Sequence, residues 1–334
     1  MAARTVYAIR THRDSAAVRR LHNELTEAVG PASVFVVVDE LTGTTDWPTL
    51  YSRVAVTPAL LAKLCLQNVR DAGWLCGDYS YYAMADAFQF DYMWLVEPDV
   101  RFANVDLKRF FGQFADCTLD FLARGMGPAG DWYWRPFLEA RGMENIWRCH
   151  FALTRASRPA ISAALRLRRH TAAVAVPQQL GYPNDESVFA TAVVAAGLQW
   201  GDLQEFNPGS YRYFSFEMKF HARSVVRLCD GPQVIHGAVS EVEYVQHVRR
   251  QYAALDSCMD GSWVVKAYRK LRMIRIHKKA LHPSDHRILR RALPWRSRVL
   301  LWCDPLLALV GFVEGQRQSW TRRMGHRADS RNTM

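Results

Sequence analysis

DYMWLVEPDVRF, residues 91–102, carries five apolar residues, Tyr92 to Val96, straight into Glu97-Pro98-Asp99. A run so short and so apolar reads as a buried strand. Residues two apart on an extended chain point the same way, so two carboxylates leave the strand end together. With Pro98 fixing the turn between them, they suit a divalent cation, Mg²⁺ or Mn²⁺, that also binds substrate phosphates. A solvated strand-to-loop turn can carry the same letters, and it is the buried strand feeding this one that favours the ion.

Working outward toward the N-terminus, Val6–Arg10 (VYAIR) and Val34–Val38 are two further apolar runs. Between them Ser15–Ala28 places Val18, Leu21, Leu25 and Ala28 at helical spacing, capped by Asp14 or Ser15 and broken at Gly30-Pro31. That is a β-α-β unit. In open α/β sheets ligands gather beyond the carboxyl ends of the strands, which puts Thr11, His12, Arg13 and Asp39 on the ligand side. No GxGxxG follows the first strand and no GxxxxGK[ST] occurs anywhere, so neither the dinucleotide fingerprint nor a P-loop applies.

Toward the C-terminus, YPNDESVFATAVVAAG (182–197) passes through Asp185-Glu186 into a helix built on Val188, Phe189, Val193 and Val194. Acids there complement the helix dipole, and functionally one of the two would be a general base. Gln233–Gly237 (QVIHG) ends a short apolar strand in His236, beside a glycine that lets backbone pass close to a ligand. Gly77–Ala87 (GDYSYYAMADA) reads as a helix opened by Asp78 and preceding the Glu97 strand. Gly125–Arg135 (GMGPAGDWYWR) reads as a loop whose glycines and aromatics suit stacking on a sugar or closure over a ligand, or simply anchor a surface turn.

The 334 residues are 49% hydrophobic with 19 Gly and 14 Pro, which excludes disorder and collagen-like repeats. Seven cysteines form no CxxC pair, so no zinc knuckle or thioredoxin-like site is visible and the thiols are expected reduced. MAARTVYAIRTHRD lacks the apolar core of a secretory signal, and a cytoplasmic location is expected.

The ordered set resembles the GT-A nucleotide-sugar glycosyltransferases over about Val6 to Val239. Glu97-Pro98-Asp99 resembles the family's metal-binding DxD, Asn184-Asp185-Glu186 its acidic catalytic motif, and His236 its C-terminal metal-ligand histidine. The first metal acid is Glu instead of Asp, and the catalytic motif reads Asp-Glu where the family commonly reads Glu-Asp. The base is therefore either Asp185 or Glu186, and retention or inversion stays open. The resemblance implies an α/β, GT-A-like (Rossmann-like) mixed sheet flanked by helices. It also implies a nucleotide-sugar donor, a Mn²⁺ or Mg²⁺ cofactor held by Glu97, Asp99 and His236, and a donor pocket lined by Asp78 and by Thr11, His12, Arg13 and Asp39. The expected activity is transfer of a sugar to a hydroxyl of a glycan or lipid-linked acceptor. A sugar nucleotidyltransferase and a non-catalytic glycan-binding or scaffold protein are the alternatives.

Charge divides the chain. The formal net charge is +11, yet residues 261–334 hold seventeen Lys and Arg against four acids, leaving the first 260 residues slightly acidic. A catalytic domain over 1–260 and a basic helical C-terminal region over 261–334 are expected. Within the latter, Val299–Val313 is broken by Asp304-Pro305 and is shorter than the ~20 residues of a spanning helix. Its basic flanks fit an anionic membrane surface at the inner face, or a helical extension packed on the body or on a partner. Nucleic acid ranks below these, because no nucleic-acid module is recognisable.

Overall fold

A computed structural model describes residues 3–43, 47–176, 181–215, 218–257 and 263–294. Its contacts group the chain into two compact units, one of residues 1–217 and 231–237, the other of residues 218–230 and 238–334. The expected boundary at 260 falls in 258–262, outside the described residues, as does the Val299–Val313 segment.

In the first unit the order is β1 (Thr5–Thr11), α1 (Ala16–Val29), β2 (Val34–Asp39), β3 (Arg53–Val56), α2 (Pro58–Lys63), α3 (Ala72–Leu75), α4 (Tyr79–Ala87) and β4 (Tyr92–Val96). There follow β5 (Arg101–Ala103), α5 (Leu107–Gly112), β6 (Phe121–Pro128), α6 (Arg135–Glu139), β7 (Trp147–Ser157), α7 (Arg158–Ala173), α8 (Asp185–Ala195), β8 (Trp200–Asp202) and α9 (Leu203–Phe206). The second unit holds β9 (Phe220–His221) and α10 (Ala222–Arg227), and the chain returns to the first for β10 (Gln233–Ile235). β11 (Ala238–Val239), α11 (Glu241–Ser257), α12 (Trp263–Lys279) and α13 (His286–Ala292) complete the second unit.

Seven strands form one mixed sheet in the order β3-β2-β1-β4-β7-β6-β8, in which β7 alone runs opposite to the rest. This is the α/β class the sequence implies. Side-chain alternation along β1 explains the two layers: Val6 and Ala8 enter a core with helices α4, α7 and α8, while Tyr7 and Ile9 enter another with α1 and α5. Both faces being covered, β2 reads as an unbroken apolar run instead of an alternating one. Of the two candidate caps for α1, Ser15 is the one used: its hydroxyl accepts from the Val18 amide at 3.2 Å.

The 125–135 stretch differs from the loop expected. Gly125–Pro128 is the end of β6, and Arg135 opens α6. β6 changes register against β7 on either side of Arg124, and Gly125 takes φ +69° at that bulge, a conformation side chains with a Cβ rarely adopt.

The second unit packs α11, α12 and α13 around Tyr244, Val248, Ile274, Leu281 and Leu289. Ser240 and Glu243 cap α11 reciprocally: the Ser240 amide donates to Glu243 Oε2 at 3.0 Å and the Glu243 amide donates to Ser240 Oγ at 3.3 Å. Among the described residues no helix is long and apolar enough to cross a membrane.

Candidate active site

The carboxyl ends of β1, β2 and β4 lie side by side, because Thr11 is in register with Val38 and Ile9 with Val96. Glu97 follows directly on β4. Its amide donates to Ala152 O of β7 at 2.9 Å, and its carbonyl accepts from the Val100 amide at 3.0 Å, closing a turn around Pro98 and Asp99. The Arg20 guanidinium, on α1, holds that turn from behind, donating to Val100 O at 3.0 Å and Pro98 O at 3.3 Å.

His236 arrives by strand pairing. β5 leaves the turn at Arg101, and β10 pairs with it antiparallel with Ile235 opposite Arg101, so the residue after β10 falls beside the turn. His236 Nε2 lies 3.7 Å from Glu97 Oε2 and 3.7 Å from Asp99 Oδ1, and one ligand atom from each of the three lies within 4.8 Å of the others. Two oxygens or an oxygen and a nitrogen bound to one ion at about 2.2 Å stand about 3.0–3.7 Å apart. The donor set therefore fits a cation, and its imidazole favours Mn²⁺ over Mg²⁺, which prefers oxygen.

Asp185 and Glu186 open α8 behind the Asn184 cap, whose Oδ1 accepts from the Ser187 amide at 3.1 Å. Asp185 is buried, and its Oδ2 accepts from Gly77 N at 2.8 Å and Arg10 Nη1 at 3.0 Å. Glu186 is half-buried, with Oε2 accepting from Asn184 Nδ2 at 2.9 Å. Burial is the largest cause raising both carboxyls above the usual carboxylate range. Arg10 opposes it at Asp185, and the Asp185 charge adds to it at Glu186.

Arg10 joins the two acidic groups. It is the one charged residue of β1, and its Nη1 also lies 3.0 Å from Glu97 Oε1. Glu97 thus turns one oxygen to Arg10 and the other toward His236. Burial pulls the guanidinium down, but Glu97, Asp185 and Asp78 outweigh it and keep Arg10 charged. A Cβ on Gly77 would overlap the guanidinium and come within 2.5 Å of Asp185 Oδ2, so only glycine fits there.

One expected donor residue is elsewhere. Asp78 is fully buried in a two-point ion pair with Arg168 of α7, Nε to Oδ2 at 2.6 Å and Nη2 to Oδ1 at 2.8 Å, and it accepts from the Tyr82 hydroxyl at 2.7 Å. A carboxylate so enclosed reaches no ligand. Arg168 also donates to Pro183 O at 2.6 Å and Leu75 O at 3.1 Å, so the pair fixes the two loops that carry Gly77 and Asp185. Thr11, His12, Arg13 and Asp39 do lie at the carboxyl edge. The Thr11 hydroxyl is taken up by Arg13, donating to its carbonyl at 2.9 Å, while His12 and Arg13 are exposed. Asp39 Oδ1 accepts from the Leu41 amide at 3.0 Å, and its Oδ2 lies 2.6 Å from where a Gly73 Cβ would stand.

Neither a protein-family model nor a curated protein sequence matches the chain. Solved structures do. The chain is similar to a mannosyltransferase from Pyrobaculum calidifontis in complex with GDP-Man and Mn²⁺, at 14% identity over 92% of this chain and 81% of that one, TM-score 0.36. It is similar to a glycosyltransferase involved in glycosylation of the major capsid of PBCV-1, at 9% identity over 80% and 98%, TM-score 0.34. It is also similar to the inositol-1-phosphate CTP transferase of T. maritima, at 10% identity over 61% and 87%, TM-score 0.31.

Sequence reading missed the linking role of Arg10, the clamp of Arg20 and the neighbourhood of His150. The first had a signal, a single charge inside a buried strand. His150 sits against Gly125 on β7, and burial, then His236, Arg124 and Arg148, push it down to about 3, so it is neutral at physiological pH.

Proposed function

We propose that the chain is a metal-dependent glycosyltransferase that moves a sugar from a nucleotide-sugar donor to a hydroxyl of a glycan or lipid-linked acceptor. The observation that carries this reading is the convergence of Glu97, Asp99 and His236 at the carboxyl edge of the sheet, with Arg10 linking that cluster to the acids of α8. Mn²⁺ held by the three side chains would neutralise the diphosphate of the departing nucleotide as a Lewis acid.

The chain's own residues supply the rest. Glu186 is the more accessible acid, which suits a base that takes the acceptor hydroxyl proton. Asp185 is committed to Arg10 and Gly77, and it positions them. Arg10 keeps Glu97 and Asp185 from repelling each other and keeps the Glu97 carboxylate oriented. Thr11, His12, Arg13 and Asp39 would border the nucleotide. The basic residues from 261 onward would bring the enzyme to anionic lipid at the inner membrane face, where a lipid-linked acceptor is found; sedimentation with anionic vesicles, lost at high salt, tests that part.

The central test is thermal stability against UDP-, GDP-, CMP- and TDP-sugars with and without Mn²⁺. A donor at a hundred times its Kd stabilises by about 2.7 kcal/mol. One nucleotide class should stabilise the protein only with Mn²⁺, and not in Asp99→Ala. Folded protein that responds to none of them would point to a scaffold or lectin-like role. Formation of a nucleotide-sugar and pyrophosphate from a sugar phosphate and a nucleoside triphosphate would point to a nucleotidyltransferase.

A further inference from the structure

We infer that Trp74 and Trp134 form a platform for a pyranose ring of the acceptor glycan, reached from the same edge of the sheet as the catalytic acids. The inference rests on the glycosyltransferase reading for the word acceptor, and on the geometry alone for the platform. Trp74 is 68% exposed and Tyr133 71%, while the other large aromatics among the described residues of the first unit are buried or half-buried. Together with Trp134, Trp74 and Tyr133 form a contiguous exposed aromatic patch, the kind of surface that marks a ligand site.

Two long-range features hold the platform in place. Trp74 follows Gly73, whose carbonyl accepts from the Arg10 guanidinium, the group that also holds Asp185 and Glu97. The Trp74 ring meets Trp134 with centroids 5.4 Å apart and planes at 64°, and Trp134 is propped by Tyr133 at 5.0 Å and Phe137 at 5.1 Å. The α3 turn is thus tied to the site on one side and to the start of α6 on the other.

The shape selects the ligand class. Two rings at a steep angle make a corner, not a slot. A flat nucleobase could stack on one of them only, whereas a chair-shaped pyranose offers axial C–H groups to one ring and an edge to the other. The rim is polar, as a sugar's hydroxyls require: the Arg135–Glu139 ion pair at 2.6 Å has both side chains more than 40% exposed.

The test is isothermal titration of the whole protein, without donor or metal, with chitotriose, cellotriose, maltotriose and mannotriose. At least one trisaccharide should bind saturably, Trp74→Ala should weaken it by about tenfold, and Trp74→Phe should retain most of the affinity. Because Trp74 is largely exposed its variants are expected to fold, and Trp134→Ala gives a second reading of the same corner. No binding by any of the four, or binding indifferent to both alanine variants, would overturn the platform. So would UDP or GDP binding that is lost in Trp74→Ala, since the corner would then stack a base. Binding that follows this pattern in a protein that responds to no nucleotide-sugar would leave the platform standing and remove the transferase reading.

Discussion

Arg10 Nη1 lies 3.0 Å from Asp185 Oδ2, so a residue in the second half of the first strand is paired with the first residue of a helix that opens far along the chain. Neither partner is at home alone. The guanidinium side chain is 14% exposed and the Asp185 carboxylate 6%; Arg10 is countered by Glu97 and Asp185, and Asp185 by Arg10.

Removing Arg10 should therefore cost stability as well as activity. Arg10→Met leaves two carboxylates facing each other across a largely dry site, and loss of one partner of such a pair costs about 3–5 kcal/mol. Urea denaturation at pH 7.5 should show the midpoint fall accordingly. Arg10→Lys keeps the charge but not the fork that serves Glu97, Asp185 and Gly73 O together, and should fall between the two. Unchanged midpoints would mean that Arg10 contributes no net stability through these contacts.

The two acids of α8 should separate kinetically. Glu186→Gln removes the proposed base and is expected to lower kcat for glycan transfer by about 10²–10⁴ with little change in donor Kd. Asp185→Asn loosens Arg10 and the Gly77 amide, and should raise the Mn²⁺ requirement and the donor Kd together. If Glu186→Gln transfers normally and Asp185→Asn is dead with donor affinity intact, the assignment of roles is reversed.

Metal affinity should follow the three converging residues. Direct Mn²⁺ titration by electron paramagnetic resonance should show one bound ion in wild type, lost in Asp99→Ala and weakened in His236→Gln. Arg20→Met should weaken it too, although Arg20 sits behind the turn, because the turn's carbonyls lose their clamp. A supporting residue of this kind typically changes metal affinity about 10–100-fold. Equal Mn²⁺ binding in wild type and Asp99→Ala would place the ion elsewhere.

How much of this could be read from letters depends on the range of the contact. β1, α1, β2 and β4 were legible because their signals are local: apolar runs, a capping serine and Gly30 with φ +85° where α1 ends. Glu97 and Asp99 were legible as candidates because they end a buried strand. That His236 stands beside them depends on β5 pairing with β10, which no local pattern encodes and which only a family resemblance suggested. Asp78 misled for a physical reason. An acid at a helix start usually faces water, and its buried partner Arg168 sits among Arg166, Arg169 and His170, where the inward-facing charge cannot be told from its neighbours.

The second unit should be acid-labile on its own account. His277 is fully buried; Nδ1 lies 2.9 Å from the Tyr244 hydroxyl and Nε2 2.6 Å from Gln251 Oε1, which suits a neutral ring donating through Nε2. Burial, then His247, push it down to about 4 from an ordinary 6.5. The unfolded chain therefore takes up the proton first as pH falls. The contribution is complete above pH 6.5, is lost progressively toward pH 4, and amounts to about 3 kcal/mol. Hydrogen exchange, corrected for intrinsic rates, should show protection of α11 and α12 falling between pH 7.5 and 5, and His277→Gln should flatten that dependence. Protection that rises on acidification would contradict the sign.

The Asp78–Arg168 pair predicts a rescue. Asp78→Asn strands a fully buried guanidinium that still binds two carbonyls but has lost its counter-charge, at a cost of about 3–5 kcal/mol. Asp78→Asn with Arg168→Met removes the stranded charge and should regain much of that stability, because a buried ion pair is often replaceable by apolar packing. Activity should not return with it. The two carbonyls that Arg168 ties down belong to Leu75 and Pro183, next to Cys76-Gly77 and Asn184-Asp185, so the double variant would be stable while the loops carrying Gly77 and Asp185 lack their common anchor. Denaturation and donor titration on the single and double variants measure the two effects separately. Recovery of donor affinity along with stability would show that Asp78 and Arg168 serve packing alone.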